Sequence, residues 1–169
     1  MCYLRWCITF IIFIPNLAIA EWTVVTHTNT DTNLQTNVAH TENEDGYSLE
    51  IYQDHAGVVR SRFSMHTSNR RLDTKLCPSF QIDRNPVRNR SINDAMCLIQ
   101  TKWSEFILGY TIENQINSTL LLQFMNGNQI TYRFRTAHSG YIETVFSLRG
   151  SKKALTDAVG GNPVITNDL

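Results

Sequence analysis

The stretch Tyr47-Ser-Leu-Glu-Ile-Tyr-Gln-Asp-His-Ala-Gly-Val-Val-Arg-Ser-Arg-Phe-Ser-Met65 carries the period-two alternation that is the dominant local signal in this chain of 169 residues. Alternate positions are apolar from Tyr47 to Ile51, and a similar alternation returns from Val59 to Met65. A period of two residues is typical of a strand with one buried face and one wet face. Asp54–Gly57, which separates the two runs, supplies turn-forming residues. The stretch therefore predicts a β-hairpin.

The same alternation, or a composition rich in β-branched residues, extends through most of the chain. The clearest turn signal is Asn126-Gly127, which predicts a hairpin between strands at Leu120–Met125 and Ile130–Phe134. We expect Trp103–Ile112 to bend or bulge at Gly109. Further strands are predicted at Trp22–Thr28, Leu34–Thr41, Ser79–Asp83, Ala95–Thr101 and Tyr141–Leu148.

One helix is predicted near the C-terminus. Ser151 is placed to cap the helix Lys152–Val159, and Gly160-Gly161 is placed to end it. About nine or ten strands with one short helix favour an all-β antiparallel sandwich over a parallel α/β fold. We assign residues 21–160 to this single domain and 161–169 to a flexible tail.

The first twenty residues predict a cleavable secretory signal peptide. Arg5 provides positive charge, Cys7–Leu17 is almost wholly apolar, and Ala18-Ile-Ala20 provides the small residues of a cleavage site. A proline and an asparagine interrupt the apolar run, whereas a membrane anchor needs about 20 continuous apolar residues. We therefore expect cleavage after Ala20, a periplasmic or secreted protein, and no stable membrane anchor.

Two of the four cysteines lie in the predicted signal peptide, which leaves Cys77 and Cys97 in the mature chain. In an exported protein such a pair is usually a disulfide. The bridge would close a loop of about 20 residues and contribute roughly 3 kcal/mol of stability. The alternative is a reactive thiol or a metal ligand, but neither cysteine has the spacing of a known metal or redox motif.

Charge is balanced over the whole chain, with 15 Lys and Arg against 15 Asp and Glu, so attraction to nucleic acid is not predicted. The distribution is uneven, because the segment from 60 to 90 is basic. One interpretation is a binding patch for an acidic partner, and the other is a set of solvated strand faces. The arginines of this candidate patch are Arg60, Arg62, Arg70, Arg71, Arg84, Arg88 and Arg90.

No known catalytic or phosphate-binding motif occurs in the sequence, and the five histidines have no metal-ligand spacing. The chain is therefore predicted to bind a protein or an envelope component without catalysis, and no metal or cofactor is predicted. A less favoured hypothesis is an unrecognised hydrolase that uses His66 or His138 as a base.

The segments Leu120–Phe134 and Gly140–Leu155 resemble the invasion-associated locus B family of bacterial exported proteins. The family's closing pattern Ser-Leu-x-Gly-x-x-x-Ala-Leu is similar to Ser147–Leu155. The resemblance implies a β-sandwich in the periplasm or outside the cell. The family usually has a cysteine pair around its glycine, and this chain has none there.

A second resemblance concerns the loop His138, Ser139, Gly140 and Tyr141. It is similar to the Ser-Gly-x-x-Tyr loop that periplasmic lysozyme inhibitors insert into the cleft of their target, although the spacing differs by two residues. It implies an alternative function, in which the protein blocks a hydrolase such as lysozyme with this candidate inhibitory loop.

Overall fold

The computed structural model describes residues 21–65, 69–88, 97–137, 140–160 and 164–166, so the predicted signal peptide lies outside the described residues. Within these ranges the chain forms eleven strands and two helices. In chain order they are β1 Thr23–Thr28, β2 Gln35–Glu42, β3 Ser48–Gln53, β4 Val58–Ser64, β5 Ser79–Ile82, β6 Cys97–Ile99, β7 Trp103–Ile112, β8 Gln115–Asn117, α1 Thr119–Asn126, β9 Gln129–Arg135, β10 Tyr141–Ser147, α2 Ser151–Ala158 and β11 Val164–Thr166.

The strands form two sheets, which confirms the predicted all-β sandwich. The large sheet has the order β1-β2-β3-β4-β7-β8-β11, with β6 also paired to β7, and the small sheet has the order β10-β9-β5. All of these pairs are antiparallel except β8 with β11, which are parallel. The predicted hairpin at 47–65 is confirmed as β3 and β4.

Aromatic side chains fill the space between the two sheets. Phe63 of the large sheet stacks on Tyr132 of the small sheet, with ring centroids 5.0 Å apart and planes inclined by 15°. The Tyr132 hydroxyl lies 3.3 Å from Ser61 Oγ, so this buried polar group has a hydrogen-bond partner. The other buried phenylalanine rings of the core are Phe80, Phe106, Phe124, Phe134 and Phe146.

Leu120–Met125 forms helix α1 and not a strand, so the predicted hairpin around Asn126-Gly127 is wrong. Leu121, Phe124 and Met125 are buried, and their spacing matches one face of a helix. The φ of Gly127 is −73°, whereas a type I′ hairpin turn needs positive values. The glycine is required for packing, since a Cβ there would lie 2.7 Å from Ile82 Cγ2.

Ser118 starts α1 and also joins it to the large sheet. Its Oγ accepts a hydrogen bond of 2.9 Å from Leu121 N–H and donates to Leu108 O. The predicted irregularity at Gly109 is present, because Val59 pairs with Gly109 while Arg60 pairs with Ile107, which leaves Leu108 as an extra residue. A Cβ on Gly109 would lie 2.9 Å from Ser118 Cβ, so the glycine makes room for this contact.

Helix α2 begins and ends close to the predicted limits, but Ser151 has a different role from the predicted cap. Gly150 is the N-cap, with a φ of +84°, and no side chain caps the helix. Ser151 Oγ instead donates 2.7 Å to Phe124 O, which ties α2 to α1. Gly160 follows the helix with a φ of +88°, a conformation that favours glycine.

Three residues of the predicted flexible tail at 161–169 form a strand. Val164–Thr166 forms β11, which pairs with β8 in parallel register. The pairing satisfies backbone groups at that side of the large sheet. The other tail residues lie outside the described residues.

The predicted disulfide between Cys77 and Cys97 is present, and it joins the two sheets. Cys77 lies two residues before β5 of the small sheet, and Cys97 is the first residue of β6 in the large sheet. Both sulfur atoms are used by the bridge, so the alternative of a free thiol or a metal ligand does not apply. A disulfide fits a compartment outside the reducing cytoplasm.

We expect the double variant Cys77→Ser with Cys97→Ser to lose about 3 kcal/mol of unfolding free energy, because its unfolded chain regains the freedom of the open loop. Urea denaturation of the variant and of the oxidised wild type measures this difference. Mass spectrometry after alkylation provides the control. Two alkylated cysteines in the untreated wild-type protein would contradict the bridge.

Candidate functional site

Arg60 and Arg62, the first two arginines of the predicted basic patch, lie on the outer face of the large sheet. Both bind the carboxylate of Glu105 on β7, which is only 5% exposed. Arg60 Nη1 donates to Glu105 Oε1 over 3.0 Å, and Arg62 Nη2 donates to Glu105 Oε2 over 2.8 Å. Their positive charges are therefore partnered inside the protein.

Three further side chains complete this ion cluster. Asp54 Oδ2 accepts 2.7 Å from Arg60 Nε, and the Tyr52 hydroxyl donates 2.6 Å to Glu105 Oε2. Burial and the hydrogen bond to Glu105 raise the pKa of Tyr52, so the group remains a neutral donor. The Arg62 guanidinium lies 4.9 Å from the centroid of the Trp103 ring. Such a satisfied cluster acts as an internal support of the sheet, and a binding role for Arg60 and Arg62 stays a prediction.

The remaining arginines of the predicted patch are scattered. Arg70 donates from Nη1 to the Tyr47 hydroxyl over 3.4 Å, and the Arg71 carbonyl accepts from the backbone of Ala137. Arg84 and Arg88 lie in the loop after β5, where the backbone of Arg88 pairs with Phe80. Arg90 lies outside the described residues. The structure brings Arg60 and Arg62 together and places the other described arginines elsewhere.

The outer face of the small sheet is a different kind of surface. Inward positions of its strands are buried except Ile142, which is half-buried, and the outward positions between them are exposed or half-buried. The outward residues of these strands form a surface that we call the small-sheet face. It consists of Ser79, Gln81, Thr131, Arg133, Arg135, Tyr141, Glu143 and Val145.

The charged side chains of the small-sheet face are exposed and loosely paired. Arg133 Nε lies 3.5 Å from Glu143 Oε1, and their side chains are 58% and 61% exposed. Arg135 Nε lies 3.6 Å from Asp73 Oδ2. The Arg133 guanidinium also stacks over the Tyr141 ring, 5.2 Å from its centroid. Exposed pairs of this kind contribute little to stability, so their side chains are available to a ligand.

A groove of about 150 Å³ crosses the small-sheet face. Arginine and amide groups of its lining donate hydrogen bonds, a carboxylate accepts them, and hydroxyls do both. Gln81 is held in position because its Nε2 donates 2.8 Å to Asn85 O. The residues that line the groove are Ser79, Phe80, Gln81, Val87, Thr131, Arg133 and Glu143.

Two of the four residues of the candidate inhibitory loop, Gly140 and Tyr141, lie in the described part of the chain. Tyr141 opens β10 and is 57% exposed, and Gly140 precedes it with open space around its Cα. His138 and Ser139 lie outside the described residues, as does His66. The proposed catalytic roles of these two histidines therefore stay predictions.

Sequence reasoning missed Arg133, Arg135 and Glu143 as candidate site residues. The signal was present, since Thr131, Arg133 and Arg135 alternate with residues that point into the core. The charge of one continuous segment does not reveal this surface, because a single exposed face combines residues from strands that are distant in sequence.

Among the residues that the structure describes, no group of three or more His, Cys, Asp or Glu side chains is arranged to hold a metal ion. In the same ranges no helix is both long and apolar enough to span a membrane. A scan against protein-family models, a search of curated proteins and a search of solved structures each found no match. The resemblance to the invasion-associated locus B family thus stays a prediction.

His40 and Glu50 form an ion pair beside the ion cluster, with His40 Nδ1 3.6 Å from Glu50 Oε1. Glu50 raises the pKa of His40, and Glu42 adds to this effect. His40 in turn lowers the pKa of Glu50. The pair therefore makes the stability of the large sheet dependent on pH.

We expect Glu105→Gln to lose about 3 kcal/mol of unfolding free energy, because two arginines then face a neutral group in a buried site. Glu143→Gln is the matched control at an exposed pair and should change the free energy by less than about 1 kcal/mol. Urea denaturation measures both values. Equal losses in the two variants would contradict the assignment of the ion cluster as an internal support.

We expect the stability difference between wild type and His40→Gln to be larger at about pH 5.5 than at about pH 8.5. A raised histidine pKa stabilises the folded state fully below about pH 6.5, and this contribution is lost as pH rises through the folded value. A lowered glutamate pKa stabilises above about pH 4.3 and is lost as pH falls through the folded value. Urea denaturation across this range measures the difference. In a Glu50→Gln background the dependence on pH should become much smaller, because only the weaker effect of Glu42 remains, and an undiminished dependence would contradict the role of Glu50.

Proposed function

We propose that this chain is an exported, non-enzymatic binding protein that uses the small-sheet face to bind a protein or an envelope component. Export by a signal peptide cleaved after Ala20, to the periplasm or outside the cell, is part of this proposal. The observation that carries it is the small-sheet face, with its groove and its exposed Arg133, Tyr141 and Glu143 side chains. The disulfide supports a location outside the cytoplasm.

The charge of the small-sheet face restricts the ligand. Arg133 is paired with Glu143 and Arg135 with Asp73, so positive and negative charges are balanced. A polyanion such as nucleic acid needs an excess of unpaired positive charge. The face is better suited to an uncharged or mixed-charge ligand that both donates and accepts hydrogen bonds. Tyr141 adds a flat apolar contact with a polar tip, a combination that is common in binding sites.

The proposal is tested with a face variant that combines Arg133→Glu and Tyr141→Ala. The wild type, immobilised with its disulfide intact, should retain defined components of an envelope extract, and the face variant should lose at least about nine tenths of them, as expected for the removal of two anchor side chains. Quantitative mass spectrometry and glycan analysis of the retained material measure the effect.

The matched control combines Arg149→Glu and Tyr110→Ala, which make the same chemical changes at two exposed positions off the small-sheet face. The control variant should retain the components as the wild type does. Retention by the face variant equal to that of the wild type would contradict the assigned face. If the wild type retains nothing above an inert protein, the binding function itself is wrong.

A second candidate function is inhibition of a hydrolase such as lysozyme. It is supported by the exposure of Tyr141 at the end of the candidate inhibitory loop, next to Gly140. The purified protein should then slow lysis of peptidoglycan by lysozyme, and Tyr141→Ala should weaken the inhibition. Unchanged lysis at a large molar excess of the protein would remove this candidate.

A further inference from the structure

Strand β1 forms an unusually open edge of the large sheet. All six residues from Thr23 to Thr28 are exposed, and among the described strands β1 pairs with β2 alone. Five of the six are β-branched, and the strand contains no Lys, Arg, Asp, Glu, Pro or Gly. Proteins usually protect such edges with charges, prolines, bulges or covering segments, because an open edge can pair with another strand.

The other edges in the described part of the chain are short or partly closed. On β10, Asn43 Nδ2 donates 3.0 Å to Val145 O and Trp22 Nε1 donates 2.8 Å to Ser147 O. On β5, the Arg88 N–H donates 2.8 Å to Phe80 O. Strands β6 and β11 have only three residues each. Edge protection is therefore present elsewhere and missing at β1.

The register of the β1–β2 hairpin determines which backbone groups of β1 point away from β2, toward the open edge of the sheet. The Asn29 N–H donates 2.9 Å to Leu34 O, so the pair 29 and 34 is a hydrogen-bonded pair in the same register as β1 and β2. Such pairs alternate along an antiparallel ladder, which makes residues 23, 25 and 27 the ones that bond to β2. The N–H and C=O groups of Val24, Thr26 and Thr28 consequently face the open edge.

We propose that β1 pairs with β1 of a second copy of this chain, antiparallel about a two-fold axis at Val25. The axis is perpendicular to the sheet, so each face continues across the boundary and the two large sheets become one. In this register Val25 lies opposite itself, Val24 lies opposite Thr26 of the second copy, and Thr23 lies opposite His27. The outward backbone groups of Val24 and Thr26 then bond to each other across the axis.

The composition of β1 favours a second copy as the occupant. A two-fold axis places like charges near each other whenever a strand carries one, and β1 has no residue with a permanent charge. Pairs of β-branched residues and threonines across strands are favourable. A strand of six residues buries less area than a standard interface, so the dimer should be weak and dependent on concentration. This inference is independent of the proposed function, because the small-sheet face belongs to the other sheet.

The test uses Val25→Lys and Val25→Glu in the mature protein with its disulfide intact. Analytical ultracentrifugation from about 5 µM to about 500 µM should show a dimer that grows with concentration in the wild type. Each variant alone should stay monomeric, because like charges meet on the axis. An equimolar mixture of the two should regain the dimer, because Lys then faces Glu. Val145→Lys is the matched control at an exposed position of β10 and should dimerise as the wild type does.

Hydrogen exchange of the wild type provides a measurement that needs no variant. The amides of Val24, Thr26 and Thr28 should exchange more slowly in proportion to the dimer fraction, while the amides already bonded to β2 change little. A wild type that stays monomeric at the highest concentration would overturn the proposal, as would a dimer that survives Val25→Lys. Slowed exchange at these amides only after addition of another protein would also overturn it, in favour of a different strand partner.

Discussion

Phe63 on β4 and Tyr132 on β9 stack between the two sheets, and the Tyr132 hydroxyl meets Ser61 in a place that water does not reach. The same ring of Phe63 also contacts Tyr47, Phe134 and Phe146. Because a hydroxyl buried without a partner is costly, this contact favours the relative position of the two sheets in which Tyr132 meets Ser61. This packing also determines which side chains point away from the core, since successive side chains of a strand point to opposite faces of its sheet.

The outer faces of the two sheets both carry Arg–Glu pairs, but the pairs differ in how far they are exposed to solvent. On the large sheet, Glu105 is almost fully buried under Arg60 and Arg62, so the charges satisfy one another and leave little for a ligand. On the small sheet, Arg133 and Glu143 remain mostly in solvent. The difference is one of burial and not of residue type. It explains why a count of arginines along the chain does not locate a binding surface.

Much of the fold could be predicted from local patterns, and the errors have physical causes. Alternation around Ile51 and Phe63 identifies the hairpin because each strand needs only its own wet and buried faces. The run Leu120–Met125 is apolar at nearly every position and fits a strand or a helix equally well. The helix is favoured by Ser118, which caps its start, and by the hydrogen bond that Ser151 donates to Phe124 O. Ser151 lies 27 residues further along the chain than Phe124.

The candidate site was less predictable for a related reason. The pattern places Arg60 and Arg62 on a wet face, but their partner Glu105 is more than 40 residues away and becomes adjacent only when β4 pairs with β7. The exposed face of the small sheet likewise combines β5, β9 and β10. Tyr141 was recognised through a loop resemblance, and the stacking of Arg133 on its ring is a tertiary contact that no local pattern contains.

The hydrogen bond from Trp22 to Ser147 joins residues 125 positions apart. A chain that emerges N-terminus first, from a ribosome or through a membrane, has Trp22 in place long before Ser147 appears. The hydrogen bond between them can therefore form only after Ser147, and with it most of the domain, has emerged. Trp22 thus holds the segment that leads into β1 against β10, which of the three strands of the small sheet is the last to be synthesised.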